Sequence, residues 1–353
     1  MIARLCGFLL MLTTPAFAQG FAGLGTEAQG FAVPDRAHVL TFPQDHAAHP
    51  DFRIEWWYIT ANLQDATGRP LGIQWTLFRS ALAPENAKGW NSPQIWMAHA
   101  AVTGEAFHLA GERFSRGGIG QAGVTAKPFA AWIDRWQLRT QDPATNFDRM
   151  RLTADTSDFA YDLNLTAQGP LVFHGDKGYS VKSCAGQASH YYSQPKFAVS
   201  GTIQLPEGPV EVTGNAWLDR EWSSQPLASD QEGWDWFSLS FDSGDQLMGF
   251  VLRGASEDYT SGTWIAADGT VTPLANGAFE AIPTRSTETG KGTLPDVWQV
   301  KVPEFSVDLQ VEVLNPNAWM DLSFTYWEGP VRVSGSHTGG GYLEMTGRDD
   351  GGS

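Results

Sequence analysis

The chain has 353 residues, and its 23 Lys and Arg against 39 Asp and Glu give a formal net charge of −16. A chain this acidic lacks the cationic face that binding to nucleic acid or to an anionic lipid surface requires, so neither partner is expected. Charged residues make up 18% and aromatic residues 12%, with 15 Trp, which excludes a disordered chain and predicts a large aromatic core.

The N-terminus has the pattern of a signal peptide. Arg4 precedes an apolar run at residues 5–12, and an A-x-A-like site follows at residues 16–18. The apolar run is too short to span a bilayer, and a buried N-terminal helix is the alternative. We therefore predict residues 1–18 to be a signal peptide cleaved near Ala18. The mature protein is then periplasmic or secreted, without a transmembrane span.

Short segments of alternating β type, separated by turn residues, fill the rest of the chain. They include residues 54–60, 72–78, 201–205, 237–241, 246–252, 297–302, 305–311 and 330–334. This pattern predicts an all-β fold with many antiparallel strands, too many for one small barrel. A weak echo of aromatic-rich segments suggests two domains. We place their boundary near Gly201, which gives domains at residues 19–200 and 201–353.

Carboxylates lie beside tryptophans in three motifs, and the first is at residues 53–58. On a strand, Glu55 and Trp57 share one face, and Tyr58 lies on the opposite face. A carboxylate beside indoles inside a barrel would have a raised pKa and could act as an acid. The alternative is a structural ion pair of Glu55 with Arg53 or Arg79.

The second motif is the densest polar segment of the chain, at residues 214–222. A strand there places Asn215, Trp217, Asp219 and Glu221 on one face. Asp219 is a candidate acid with an indole beside it. The alternative is a turn or a salt bridge formed by Asp219 and Arg220.

The third motif is Trp234-Asp235-Trp236-Phe237, in which the two tryptophans share a face opposite to Asp235 and Phe237. An acid flanked by indoles suits protonation of an apolar substrate followed by cation–π stabilisation. The alternative is an aromatic core in which Asp235 is hydrogen-bonded to a turn.

The remaining candidates are polar residues that would line a pocket. The eight histidines are scattered without metal-ligand spacing, so no metal is expected, and no motif for a phosphate or dinucleotide cofactor occurs. The predicted catalytic residues are Asp219 and Asp235. The predicted ligand-binding residues are Glu55, Trp57, Tyr58, His99, Tyr192, Asn215, Trp217, Trp222, Trp234 and Trp236.

Several segments, in this order, resemble one known family. They lie at residues 52–58, 78–82, 97–103, 174–180, 190–193, 217–224, 233–239 and 341–347. With these segments the chain resembles the AttH / carotenoid 1,2-hydratase superfamily, a lipocalin-like group also labelled predicted secreted hydrolases. The resemblance implies two lipocalin-like (calycin-type) β-barrel domains packed side by side, with apolar molecules held near their junction.

The resemblance leaves three functions open. The first is an exported protein that binds an apolar, lipid or isoprenoid-like ligand and is linked to an ABC-transporter permease. The second is a carotenoid 1,2-hydratase-like lyase without a cofactor, in which Asp219 or Asp235 protonates the alkene and Trp217, Trp234 and Trp236 stabilise the cation. The third is a secreted hydrolase, although no G-x-S-x-G elbow occurs.

Overall fold

The computed structural model describes residues 29–85, 87–144, 146–225 and 231–348, so the predicted signal peptide lies outside the described residues. The described chain consists almost entirely of antiparallel strands in two sheets, which confirms the predicted all-β class. Short 3-10 helices lie at Gln44–His46, Gly89–Asn91, Asn146–Asp148 and Pro303–Phe305. None of the helices in the described ranges has the length and apolar character of a membrane span.

Thirteen strands of the described chain form the first sheet, in the order β4-β3-β2-β1-β13-β12-β9-β8-β7-β6-β5, with β10 and β11 paired to β12. Their bounds are β1 (Ile54–Asp65), β2 (Pro70–Ala81), β3 (Gln94–Gly104), β4 (Phe107–Arg116), β5 (Ala122–Ala126), β6 (Phe129–Ile133), β7 (Trp136–Thr140), β8 (Arg149–Asp155), β9 (Ala160–Ala167), β10 (Val172–Phe173), β11 (Tyr179–Val181), β12 (Ala188–Leu205) and β13 (Gly208–Ser223).

Ten described strands form the second sheet, in the order β17-β16-β15-β14-β23-β22-β20-β19-β18, with β21 paired to β22. Their bounds are β14 (Gln231–Phe241), β15 (Gln246–Gly254), β16 (Tyr259–Ile265), β17 (Val271–Leu274), β18 (Glu280–Thr289), β19 (Gly292–Val302), β20 (Val307–Val313), β21 (Trp319–Asp321), β22 (Thr325–Gly335) and β23 (Gly339–Met345). The two sheets are barrel-like, consistent with two lipocalin-like domains.

The change of sheet lies later in the chain than the boundary predicted at Gly201. Gly201 is in the middle of β12, paired with Leu163 on one side and Val212 on the other. The second sheet begins at Gln231, after β13 ends at Ser223. A Cβ at position 201 would lie 2.2 Å from the carbonyl oxygen of Asp162, so this glycine allows two strands to approach closely and does not mark a linker.

Alternation of side chains along the strands divides the interior into layers. On β1, Trp57 and Ile59 belong to the core of the first sheet, whereas Tyr58 points to the opposite face. On β14, Phe237 belongs to the core of the second sheet, whereas Trp236 points away from it. Because the outward faces of both sheets are apolar, they pack on each other and form a third buried layer.

Candidate functional site

A cavity of about 120 Å³ lies within this third layer, between the outward faces of the two sheets. Its wall is largely aromatic, with a few carboxyl and amide groups. The first sheet and its loops contribute Ile54, Trp56, Tyr58, Thr76, Phe78, Lys182, Gln187, Ala188, Ser189, Tyr191, Asp219, Glu221, Ser223 and Gln225. The second sheet contributes Gln231, Trp234, Trp236, Phe250, Leu252 and Glu344.

The period of two along β13 and β14 explains which residues reach the cavity. Asp219 and Glu221 are two residues apart on β13 and face the cavity together, as the sequence predicts. Trp234 and Trp236 do the same on β14. The four side chains therefore form two facing rows, one acidic and one aromatic, from different sheets.

Asp219 is a buried carboxyl group without a cation among its hydrogen-bond partners. Tyr191 Oη donates to Oδ2 over 2.6 Å, Trp217 Nε1 donates to Oδ1 over 2.6 Å, and Ser193 Oγ also donates to Oδ1. Burial raises the pKa of Asp219 to about 7, because these neutral donors offset only part of the cost of burying the charge. A substantial share of Asp219 is therefore protonated near neutral pH.

A histidine lies behind Asp219. His174 Nε2 is 2.6 Å from Ser193 Oγ, and His174 Nδ1 is 2.8 Å from Thr263 Oγ1. Burial keeps the pKa of His174 well below its ordinary value, so the ring is neutral. Because Ser193 donates its proton to Asp219, its oxygen accepts from the N–H of His174. This direction is opposite to that of a serine nucleophile activated by a histidine base.

Two buried glutamates that the sequence analysis did not select join Asp219 and Glu221 in what we name the acidic cluster. Glu344 lines the cavity and accepts a hydrogen bond of 2.6 Å from Trp234 Nε1. Burial, together with the charge of Asp219, raises its pKa to about 7. Glu328 accepts a hydrogen bond from Tyr58, and burial beside Glu344 raises its pKa well above the ordinary value.

A signal for both glutamates was present in the sequence. Glu328 directly follows Trp327, the same carboxylate-beside-indole pattern that marks the three selected motifs. Glu344 lies within the segment at residues 341–347 that contributes to the family resemblance. Their position beside Asp219 depends on the packing of one sheet on the other, which no local pattern predicts.

One cation faces the cavity from the first sheet. Lys182 Nζ is 2.9 Å from Glu221 Oε1 and lies over the rings of Tyr191 and Phe250, 4.7 and 4.4 Å from their centroids. The ammonium group thus pairs with the carboxylate next to Asp219 on β13, and Asp219 itself has no such partner.

Glu55 lies inside the first sheet and away from the cavity. It pairs with both Arg79 and Arg220, and all three side chains are buried. Burial raises the pKa of Glu55, but the two guanidinium groups outweigh this effect and hold it well below the ordinary value. The expectation of a raised pKa is therefore wrong, and the alternative of an ion pair with Arg79 is confirmed.

Three predicted ligand-binding aromatic residues surround this ion pair and do not line the cavity. Trp57 and Trp222 hold the guanidinium of Arg220 between them, with ring centroids 3.9 and 4.9 Å from its Cζ. Tyr192 Oη is 2.8 Å from Nδ1 of His46. They face the core of the first sheet because they lie on the strand faces opposite to Tyr58 and Asp219.

Asp235 also lies outside the cavity. It points into the second sheet, where Arg253 Nη1 is 2.7 Å from Oδ1 and Arg348 Nη2 is 2.6 Å from Oδ2. The flanking Trp234 and Trp236 face the cavity, which confirms the predicted alternation but separates this acid from the indoles. Asp235 is therefore not placed to protonate a ligand held there.

The last two predicted residues lie in other parts of the contact between the sheets. His99 Nδ1 is 2.9 Å from Tyr326 Oη, and burial lowers the pKa of this histidine to about 3. Asn215 lines a separate polar cleft together with Ser238. Trp217 also lines that cleft, and its N–H reaches Asp219, so it lies between the cleft and the cavity.

Comparisons with known proteins point to one family. The family model described as AttH-like matches residues 33–348. The crystal structure of an AttH from Nitrosomonas europaea is 33% identical, with a TM-score of 0.82, and the match covers 90% of this chain and all of that one. No curated protein matches the chain.

Two more distant structures share the fold. Kievitone hydratase from Nectria haematococca is 14% identical with a TM-score of 0.65, covering 91% of this chain and 96% of that one. CghA, solved with Sch210972, is 10% identical with a TM-score of 0.58, covering 93% of this chain and 99% of that one.

Within the described residues, no group of three or more His, Cys, Asp or Glu side chains is arranged to hold a metal ion.

Proposed function

The chain belongs to the AttH-like family, and from this premise we propose that it is a hydro-lyase that adds water to a carbon–carbon double bond without a cofactor. The substrate is an apolar, isoprenoid-like molecule held in the cavity between the sheets. The observation that supports this proposal most is Asp219, a buried carboxyl group with a pKa raised to about 7 that faces an aromatic-lined cavity.

The first step is protonation of the alkene by Asp219. The carboxyl proton is transferred to one alkene carbon, and the π electrons form the new C–H bond. A carboxyl group with a pKa near neutrality is the most efficient general acid at neutral pH, because it is protonated in part and still a good donor. The other alkene carbon becomes a carbocation.

The aromatic wall stabilises this cation. Trp56, Trp234 and Trp236 line the cavity together with Tyr58, and ring faces attract cations strongly where water is excluded. The carboxylate left on Asp219 adds a negative charge near the cation. Both interactions are stronger with the cation than with the neutral substrate, which is the requirement for acceleration of the chemical step.

Water then adds to the cation, and a carboxylate accepts the proton that it releases. Glu344 suits this role, because it lines the cavity and its pKa is also raised to about 7. One of the two carboxyl groups can therefore be protonated while the other is ionised. The product is the alcohol, and exchange of a proton between the carboxyl groups and solvent restores the starting state.

The name of one distant structural neighbour, kievitone hydratase, agrees with this chemistry without establishing it. At 14% identity the likeness shows the fold alone, so the proposal depends on the residues of the cavity.

The second candidate is an exported carrier of an apolar ligand, linked to an ABC-transporter permease. The signal-peptide pattern of residues 1–18 and the aromatic lining of the cavity favour it. A periplasmic or secreted location fits both candidates. A hydrolase is favoured less, because the hydroxyl of Ser193 donates to Asp219 and does not line the cavity.

Incubation with acyclic carotenoids and short isoprenoid alkenes in heavy-oxygen water tests the proposal. The product should contain one heavy oxygen, and D219N should lower turnover by about 100- to 10,000-fold. D235N is the matched control, since Asp235 is also buried between tryptophans in sequence but faces away from the cavity. Turnover per folded molecule should be unchanged in D235N. A bound but unlabelled ligand would favour the carrier, and full turnover by D219N would contradict the mechanism.

A further inference from the structure

Hydrogen-bond donors gather at one end of the cavity, and the proposed function does not use them. We name this end the polar rim and define it as Lys182, Gln187, Ser189 and Gln225. All four line the cavity, and they lie at the same end of the neighbouring strands β11, β12 and β13. Asp219 lies further along β13, beyond Glu221.

Hydrogen bonds within and next to the rim use the side-chain carbonyl oxygens of its two glutamines. Gln187 Oε1 accepts from Ser183, and Gln225 Oε1 accepts from the backbone N–H of Ala188 over 2.7 Å. The groups that remain on both amides are N–H donors. Gln225 and Ala188 also fix the position of the neighbouring Ser189.

Ser189 provides an independent observation. This residue is 2% exposed, and among the described residues its hydroxyl has no hydrogen-bond partner. Burying a hydroxyl without a partner is unfavourable, so such a group is expected to have a partner in the functional state. Because Ser189 lines the cavity, a ligand atom can supply that partner.

From these observations we infer that the polar rim binds a terminal carbonyl or carboxyl oxygen of the ligand. The ligand is therefore an amphipathic molecule with an apolar, unsaturated chain and an oxygen acceptor at one end. This inference rests on the proposed use of the cavity and adds the substrate class. Lys182, already neutralised by Glu221, contributes an N–H donor.

The strand spacing sets the length of this ligand. Ser223, whose hydroxyl donates to the carbonyl of Ala188 at the rim, lies four residues from Asp219 on β13. At about 3.3 Å per residue this is about 13 Å. The double bond that receives the proton should then lie about 13 Å from the oxygen acceptor, with the aromatic wall between them.

Three probes with a 15-carbon isoprenoid skeleton test the inference: farnesene, farnesal and farnesoic acid. Their affinities are measured by quenching of tryptophan fluorescence. We expect farnesal and farnesoic acid to bind about tenfold more tightly than farnesene, as one or two good hydrogen bonds predict. Equal affinities of the three probes for the wild-type protein would overturn the inference.

Variants of the rim residues test whether the rim causes the tighter binding of farnesal and farnesoic acid. In S189A, and in the charge-balanced K182M/E221Q, the affinities of farnesal and farnesoic acid relative to that of farnesene should fall toward one. K301M, which removes a lysine on β19 outside the cavity lining, should keep the tenfold ratio. A ratio that survives in both rim variants overturns the inference.

Labelled turnover separates this test from that of the proposed function. If the affinity ratio behaves as expected but no heavy oxygen enters the product, the rim is supported and the hydro-lyase proposal fails. If Asp219-dependent labelling occurs and the three probes bind equally, the hydro-lyase proposal stands and the rim inference fails.

Discussion

Two buried carboxyl groups on neighbouring strands have pKa values shifted in opposite directions. Glu55, on β1, faces the core of the first sheet and pairs with two arginines, so its pKa is lowered. Asp219, on β13, faces the second sheet and accepts bonds only from neutral donors, so its pKa is raised to about 7. Burial is similar at both sites, and the charge of the partners decides the direction of the shift.

This difference in partner charge distinguishes a carboxylate that stabilises the fold from a carboxyl group that can transfer a proton. Glu55 is ionised at every physiological pH, and its arginines have no other carboxylate partner among the described residues. Such a site holds strands together but cannot deliver a proton. Asp219 can exchange its proton near neutrality, and it lies on a cavity wall.

Removing the charge of Glu55 should have the largest effect on stability. E55Q leaves the guanidinium groups of Arg79 and Arg220 buried without a carboxylate, which should lower the free energy of unfolding by about 3–5 kcal/mol. Urea unfolding at pH 7 measures the loss, with E304Q at an exposed position as the control, expected within about 0.5 kcal/mol of wild type. A loss below about 1 kcal/mol for E55Q would contradict the structural role of this ion pair.

The second prediction uses the pH dependence of stability. The pKa of Asp219 is about 7 in the folded state and about 3.8 when unfolded, so the folded protein binds more protons in this interval. The contribution of Asp219 to the free energy of unfolding should therefore be greatest below pH 4 and fall by up to about 4 kcal/mol as the pH rises to 7. Glu344 contributes in the same direction, and Glu55 in the opposite one, losing stability as the pH falls.

D219N isolates the contribution of Asp219. The difference in free energy of unfolding between wild type and D219N, measured between pH 4 and pH 8, should favour wild type at low pH and the variant at high pH. Since the Asn side chain does not titrate, this difference curve cancels the carboxyl groups that do not interact with Asp219, and it retains the change that the substitution causes in Glu344. A curve that stays flat from pH 4 to 8 would show that Asp219 titrates normally.

The third prediction concerns the hydrogen bond between Tyr58 and Glu328. Y58F removes one of two tyrosine hydrogen bonds, from Tyr58 and Tyr326, to a buried carboxyl group and should cost about 1–3 kcal/mol of stability. Tyr179, a half-buried residue that packs on Arg36, is the matched position, and Y179F should change stability by less than about 0.5 kcal/mol. Equal losses of stability in Y58F and Y179F, measured by thermal unfolding, would contradict the hydrogen bond from Tyr58 to Glu328.

Local patterns in the sequence predict the features that depend on the alternation of side chains along a strand. The all-β fold, the shared face of Trp234 and Trp236, and the shared face of Asp219 and Glu221 all follow from a period of two. The same period does not show which face meets the other sheet, and Trp57, a predicted ligand-binding residue, lies on the face away from the cavity that Tyr58 lines. The face is decided by packing between segments far apart in the chain.

Partners distant in sequence account for the remaining differences. Arg220 is 165 residues from Glu55, and Arg348 is 113 residues from Asp235, so neither ion pair has a local signal. These partners turn two candidate acids into structural carboxylates. Asp219 retains its raised pKa because no cation in the described part of the chain pairs with it.

Direct titration of Asp219 is the most decisive measurement for the account as a whole. The carboxyl carbon signal of this residue, assigned by comparison of carbon-13-labelled wild type with D219N, is followed by NMR from pH 4 to 9. We expect a midpoint near pH 7, because the carboxyl group is buried at the cavity wall and has no cationic partner among the described residues. A midpoint below pH 5 would contradict it, because Asp219 would then be fully ionised at neutral pH and unable to protonate a substrate.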